Sequence, residues 1–284
     1  MATHNHMRVL GYILKDPTII NLGEEGLEKV IFQVRTIRRK TEGYRGKKFE
    51  DIVVFYDGEE LIKKMKDLKE YDLVDIKGVF NVMTVDKTSV CPYCGTKNVK
   101  EQGSSTFIYP ISINKLDSLK GPSEHSPDLP EAILKEHHLE VSNNALIIGT
   151  VVSDPELIGS LKIPCCRYRL GVDRKYYIKT QGNVTADYPW VYSYDKQALS
   201  DYEHLHQGSV VLVDGFMHNR QVNAEINCLK CGSTYTYPDV VTEFIPYTLE
   251  YLSNYMTNED IAAQREREKR KDIHKNIQYE NSKK

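Results

Sequence analysis

Apolar and polar side chains alternate with period two along most of the chain, which predicts β-strands with one buried face. RVLGYIL alternates and ends at an Asp-Pro turn, Asp16-Pro17. KVIFQVRTI follows, with Phe32 and Val34 on one face and Gln33 and Arg35 on the other. FEDIVVFY forms a third strand, then GEELIKKMKDLKEY takes helical spacing, and VDIKGVF forms a fourth strand. A cysteine-bearing hairpin and a last strand, FIYPISI, complete the set.

The same series recurs downstream. Gly11, Asp16 and Pro17 match Gly149, Asp154 and Pro155 at an offset of 138, and Gly78 matches Gly215 at 137. Cys91 and Cys94 match Cys228 and Cys231, and Phe107 matches Phe244, again at 137. A constant offset carrying glycine, paired cysteines and an aromatic reads as a tandem duplication. In the second copy Tyr168 and Leu170 take the apolar face and Arg167 and Arg169 the basic one; YPWVYSY is its third strand and DKQALSDYEHLHQ its helix. Three strands, a helix and two strands with glycine-marked bends is the order of a five-stranded OB barrel. The expected architecture is mainly β: two tandem OB barrels over residues 1–118 and 142–256, each with a short helix and a CxxC-bearing hairpin. A proline-rich linker, 119–141, holds a short helix at EAILKEHHLE, and 257–284 forms a charged C-terminal helix and tail.

Composition narrows the classes. The chain has 284 residues, 40% hydrophobic and 27% charged, enough apolar material for packed domains. No apolar run reaches the ~18–20 residues of a bilayer span, and MATHNHMRVL has no apolar leader region. A soluble, cytoplasmic protein is therefore expected. The formal charge is only −2, but it is unevenly spread. Residues 31–50 hold seven basic and two acidic side chains, and 161–180 hold six and one. Two basic patches in a near-neutral chain suit a polyanion, though solvated hairpins would show the same charge. Twelve of the 19 tyrosines lie between residues 168 and 255.

The opening strand with its glycine and Asp-Pro turn, the strand Phe49–Phe55, and Gly78 and Gly215 together resemble the bacterial-type single-stranded DNA-binding protein family. The resemblance covers most of 7–118 and, more loosely, 143–252. It implies sequence-independent binding of single-stranded DNA in replication, recombination or repair. It also implies a homodimer presenting four OB domains, in the cytoplasm or nucleoid of a bacterial or phage-infected cell. Bases would stack on Phe49 and Phe55 in the first copy and on their counterparts Tyr188 and Tyr194, with Trp190 nearby, in the second; a ring can stack on any base. Arg35, Arg38, Arg39, Lys40, Arg45, Lys47 and Lys48 would line the phosphate path of copy one, and Arg167, Arg169, Arg174, Lys175 and Lys179 that of copy two. The family usually ends in an acidic tail with a hydrophobic tip. This chain ends in YENSKK, so recruitment of replication or recombination proteins by that route is not expected.

CPYCG (91–95) and CLKCG (228–232) are CxxCG knuckles. Each can give a metal two thiolates, and a structural zinc needs four ligands. The expectation is one structural Zn²⁺ per chain held by Cys91, Cys94, Cys228 and Cys231, with pairing of knuckles between chains as the competing arrangement. Cys165 and Cys166 are adjacent in a strand and point to opposite faces; Cys166 is expected in the core and Cys165 partly exposed. No nucleophile motif or phosphate loop is present, so an enzyme, such as a zinc-dependent nuclease, is disfavoured. An RNA-binding or protein-binding tandem OB adaptor stapled by zinc is the remaining alternative.

Overall fold

The computed structural model describes residues 3–21, 28–40, 44, 46, 48–116, 126–160, 162–174, 184–254, 259, 262 and 266. The expectations at Arg45, Lys47, Lys175 and Lys179 fall outside these. So does most of the charged tail, where Glu259, Ala262 and Glu266 are helical.

The first copy contains β1 (His4–Ile13), β2 (Thr18–Asn21), β3 (Glu28–Ile37), β4 (Phe49–Tyr56), the single-turn α1 (Ile62–Lys66), β5 (Leu73–Val90) and β6 (Lys97–Lys115). After α2 (Asp128–His137), the second contains β7 (Asn143–Val151), β8 (Glu156–Ser160), β9 (Ile163–Asp173), β10 (Ala186–Asp187), β11 (Trp190–Tyr194), α3 (Asp195–His204), β12 (Val210–Asn227) and β13 (Thr234–Ser253). The five-stranded OB order is present twice, with short extra strands β2 and β8 zipped onto β3 and β9.

Strand alternation does what the pattern predicted. In β4, Glu50, Ile52, Val54 and Tyr56 are buried while Phe49, Asp51, Val53 and Phe55 face outward. In β5 and β12 the first nine residues are mostly buried and the remainder alternate between half-buried and exposed. Each strand therefore begins in its barrel and ends in a projecting arm. Gly78 and Gly215 sit at the bulges where β5 and β12 bend. A Cβ there would lie 2.2 Å from the Tyr109 carbonyl oxygen or 2.3 Å from that of Ile245, so only glycine lets the partner strand approach.

The barrels are not beads on a string. β1 and β7 pair antiparallel from His4 opposite Ile148 to Val9 opposite Asn143, which fuses both copies into one sheet. Asn5 on β1 bonds the backbone N–H and carbonyl of Phe80, and Asn143 on β7 bonds those of Met217. These buried amides are equivalent positions of the duplication, and each satisfies both backbone groups of the strand beside it. One apolar core runs through the seam, with Met7, Val9, Phe80, Ala145, Ile147, Met217 and Phe244 in one cluster.

The linker is partly structural. α2 starts three residues before the expected EAILKEHHLE segment. Leu134 is fully buried against Leu10, Tyr12 and Ile37, and the Tyr12 hydroxyl meets Glu131 at 3.0 Å. Ser142, also buried, donates to the Leu10 carbonyl and accepts from the Ile37 N–H. The linker thereby docks along barrel one before β7 begins.

Candidate nucleic-acid interface

Period two puts Arg167 and Arg169 on the outward face of β9, opposite the outward face of β11 and its approach. The Arg167 and Arg169 guanidiniums each lie 5.3 Å from the Trp190 ring, and Arg169 lies 5.8 Å from Tyr188. Tyr188 is 46% exposed and Trp190 is half-buried. Arg167 is held by Glu156, at 2.9 Å from Nε and 2.8 Å from Nη2, and that bond raises its pKa further above the usual range. The result is two rings interleaved with two cations on one open surface. A nucleobase could stack on the rings while its phosphate meets a guanidinium.

The matching surface of barrel one is built differently. Arg35 is locked in a bidentate pair with Asp51 at 2.7 and 2.9 Å, which raises its pKa. Phe55 packs 5.8 Å from Phe107, with the Lys29 ammonium 6.0 Å from its ring. Phe55, Lys29, Asn81 and Tyr109 line a cavity that Arg174 and Val184 of barrel two complete. Phe49 stands apart: it packs with the Leu134 cluster, and the Lys135 ammonium lies 5.3 Å from its ring.

Sheet register corrects the expected equivalence of the rings. Phe32 pairs with Val54, and its counterpart Tyr168 pairs with Val191. Equivalent residues of β4 and β10–β11 are therefore 137 apart, so Phe49 corresponds to Ala186 and Phe55 to Tyr192. Aligning ring with ring slipped the strand by two residues, which leaves every side chain on its predicted face. Tyr192 is buried, and Tyr194 packs 5.3 Å from Tyr44.

That Tyr44 contact joins the two barrels. The β3–β4 loop of barrel one crosses to barrel two, where Tyr44 packs on Tyr194, Phe216 and His218 and its hydroxyl meets His218 Nε2 at 3.0 Å. Burial pushes the Tyr44 phenol up to about 12. His218 Nδ1 lies 2.7 Å from buried Glu50, which also accepts from the Asn219 backbone N–H. In the reciprocal direction Asp187, equivalent to Glu50, accepts from the Val82 N–H at 2.8 Å. Val82 is equivalent to Asn219. A buried acid in each copy thus grips the fourth strand of the other.

Two expected phosphate ligands are corrected here. Arg174 pairs with Asp187 at 2.7 and 3.0 Å and donates to the Val82 carbonyl, with 8% of its side chain exposed. Arg38, its equivalent, is buried, donates to the Gly46 and Arg39 carbonyls, and lies 4.5 Å from the Tyr44 ring. Arg38 is held against Tyr44 and Arg174 between Asp187 and the Val82 carbonyl of barrel one, so both guanidiniums are already engaged. Arg39 lies over Tyr247 at 3.8 Å and pairs with Glu140. Lys40 and Lys48 are exposed and, among the described residues, in no ion pair. Cys165 is also more buried than expected, because Tyr44 belongs to the aromatic cluster over it; Cys166 is in the core. The pattern of alternation could not reveal Tyr44 or His218. Glu50 and Asp187 were open to discovery, as an acid on the buried face of one strand at the same offset of 137.

The third notable cluster lies at the arm tips. The sulfur atoms of Cys91, Cys94, Cys228 and Cys231 all lie within 4.8 Å of one another. They come from two hairpins of one chain, where Gly95 and Gly232 have φ of +71° and +72°.

Comparison with known proteins agrees with this architecture. Residues 142–236 match the single-strand binding protein family. Single-stranded DNA-binding protein 2 of Clostridium acetobutylicum is 29% identical over 107 residues, which is 37% of this chain and 75% of that protein. The crystal structure of the wild-type single-stranded DNA binding protein from Thermus aquaticus superposes with a TM-score of 0.60 at 13% identity, over 91% of this chain and 97% of that one. A deletion mutant of the Thermus aquaticus protein gives 0.57 at 14% identity, over 90% and 98%. At those identities the likeness speaks for the fold, and it extends over both barrels. The second barrel thus matches the single-strand binding protein family, and the chain as a whole shares the fold of the single-stranded DNA binding protein from Thermus aquaticus.

Proposed function

We propose that this chain binds single-stranded DNA with little sequence preference and that its role is binding, not catalysis. The observation that carries the reading is the surface where Arg167 and Arg169 flank Trp190 and Tyr188. Stacking on such rings is worth ~1–3 kcal/mol per base and is indifferent to base identity. The names of the Clostridium and Thermus proteins support the same ligand. Barrel one contributes Phe55 and Phe107, with Lys29, Lys40 and Lys48 as its cations. Arg35, Arg39 and Phe49 serve at the margin, each already engaged by a neighbour. The finer reading places the protein in replication, recombination or repair in the cytoplasm of a bacterial or phage-infected cell. It would act as a homodimer presenting four OB domains.

The test is a polarisation titration with oligo-dT, oligo-U and duplex DNA across a salt series, read in parallel by Trp190 emission, since Trp190 is the only tryptophan. Tight, salt-weakened binding of oligo-dT with a changed Trp190 signal is the expected result. Affinity for oligo-dT no better than for duplex, or insensitive to salt, removes the proposal.

A further inference from the structure

The arms are the part of the molecule that the DNA-binding face does not use. From Val82 to Val90 the arm of β5 is nine residues, about 30 Å of extended strand. The β12–β13 arm runs beside it. The two are braced along their length: Lys87 pairs with Asp239, the Ser89 hydroxyl meets that of Tyr235 at 2.8 Å, and Asn98 bonds both the Tyr235 hydroxyl and the Leu229 N–H. These contacts bring the tips into one place and one orientation.

Each tip is the same small device. In the first, Cys91 N–H donates to the Thr96 carbonyl and Gly95 N–H to the Cys91 carbonyl; in the second, Cys228 donates to Ser233 and Gly232 to Cys228, all at 2.9 Å. The left-handed glycine turns the chain tightly after the second cysteine, so both sulfurs of a knuckle face the same point. The knuckles then face each other. Cys91 Sγ lies 3.7 Å from Cys231 Sγ, and Cys94 Sγ lies 3.5 Å from Cys228 Sγ. Four thiolates placed ~2.3 Å from a tetrahedral zinc have sulfurs about 3.8 Å apart, so the cluster has the dimensions of that coordination shell. Cys91 and Cys228 are buried, Cys94 is half-buried and Cys231 is exposed; Tyr235, Tyr237, Ala224 and Ile226 pack with the first three. A full set of four protein ligands is the character of a structural site, with no position left for substrate or water.

We propose that Cys91, Cys94, Cys228 and Cys231 of one chain hold a single structural Zn²⁺ that rivets the two arms together at their tips. The metal then adds a joint at the far end of arms about 30 Å long, beyond the contacts that already hold the barrels together. That joint keeps the arm tips from parting. The assignment is independent of the DNA-binding reading, since none of the four cysteines lies on the proposed face.

Elemental analysis and native mass spectrometry of the full chain, purified without added metal, should give one zinc per chain. Replacement by Co²⁺ should give the intense visible bands of a tetrahedral tetrathiolate. Cys91→Ser with Cys94→Ser, and separately Cys228→Ser with Cys231→Ser, should each abolish binding, because either knuckle alone has two ligands. Cys165→Ala should retain it. A double variant that still binds one metal per chain overturns the joint site. Restored binding on mixing the two double variants places the site between chains and overturns the intrachain rivet. Iron in place of zinc, or masses showing disulfides at these cysteines in anaerobically purified protein, overturns the structural zinc. Should a double variant fail to fold, titration of the wild type with a mercurial decides the matter: one zinc should be released as the four knuckle thiols react, and release of none overturns the proposal.

Discussion

Replacing Arg174 with alanine should destabilise the fold while leaving the electrostatics of DNA binding nearly intact, the reverse of what its place in a basic patch suggests. The Arg174 side chain is 8% exposed and its partner Asp187 is 0% exposed. Arg174 makes two bonds to that carboxylate, at 2.7 and 3.0 Å, and a third at 2.7 Å to the Val82 carbonyl. Truncation leaves the Asp187 carboxylate accepting from the Val82 N–H but facing no cation, inside a joint that holds one barrel to the other. Breaking a buried pair by removing one member costs ~3–5 kcal/mol, since the remaining charge stays desolvated. Urea unfolding followed by Trp190 fluorescence should show a lower midpoint of that size. Arg174→Met combined with Asp187→Leu should recover much of the loss, because the pair's removal takes its desolvation penalty with it. In oligo-dT titrations the salt dependence of Arg174→Ala should stay at the wild-type slope. An unaltered unfolding midpoint together with a slope reduced by about 0.7, the signature of one lost phosphate contact on a single strand, would refute this assignment and return Arg174 to the binding face.

Trp190→Ala should weaken oligo-dT binding by roughly 5- to 150-fold, from stacking worth ~1–3 kcal/mol, with little change in unfolding midpoint; a loss of stability without loss of affinity would make Trp190 a packing residue. Arg167→Ala combined with Arg169→Ala should reduce the salt slope by about 1.4, two contacts at about 0.7 each, and an unchanged slope would clear both of phosphate contact. Alkaline pH should destabilise the protein. Burial pushes the phenols of Tyr12, Tyr44, Tyr109 and Tyr247 from 10.0 up to about 12, and the thiols of Cys165 and Cys166 from 9.0 up to about 11 and about 12. These groups ionise more easily once unfolded, so their contribution is complete below about pH 9 and is lost as pH rises toward 12. A urea midpoint flat across that interval would contradict the burial assigned to them.

Much of this architecture follows from local rules. Alternation identified the strands and their buried faces because side-chain direction in a strand depends on parity alone. The duplication, the fourth-strand glycines and the register of the cysteine knuckles followed from one constant offset, which also predicted that two half-sites belong together. The residues that failed were those whose neighbours come from the other copy. Arg38 and Arg174 look like surface cations because basic runs ordinarily are. Arg38 lies against Tyr44 and Gly46 of the β3–β4 connection, and Arg174 is held between Asp187 and the Val82 carbonyl of barrel one. Tyr44, alone between charged residues, carries no periodic signal, yet it packs among Tyr194, Phe216 and His218.

By itself, then, the chain determined which faces are apolar, where each strand bends, and that four cysteines occur as two equivalent pairs. These are properties of spacing. Tertiary structure decided which outward faces stay open. The β1–β7 pairing sets the two barrels side by side, and only that placement puts Tyr44 over barrel two and the Asp187 carboxylate beside the Val82 N–H. Arg167, Arg169 and Trp190 are half-buried and Tyr188 is exposed, while Tyr44 packs at the Tyr194 end of the strand. What covers a face is a contact between residues distant in sequence, and no local periodicity encodes it.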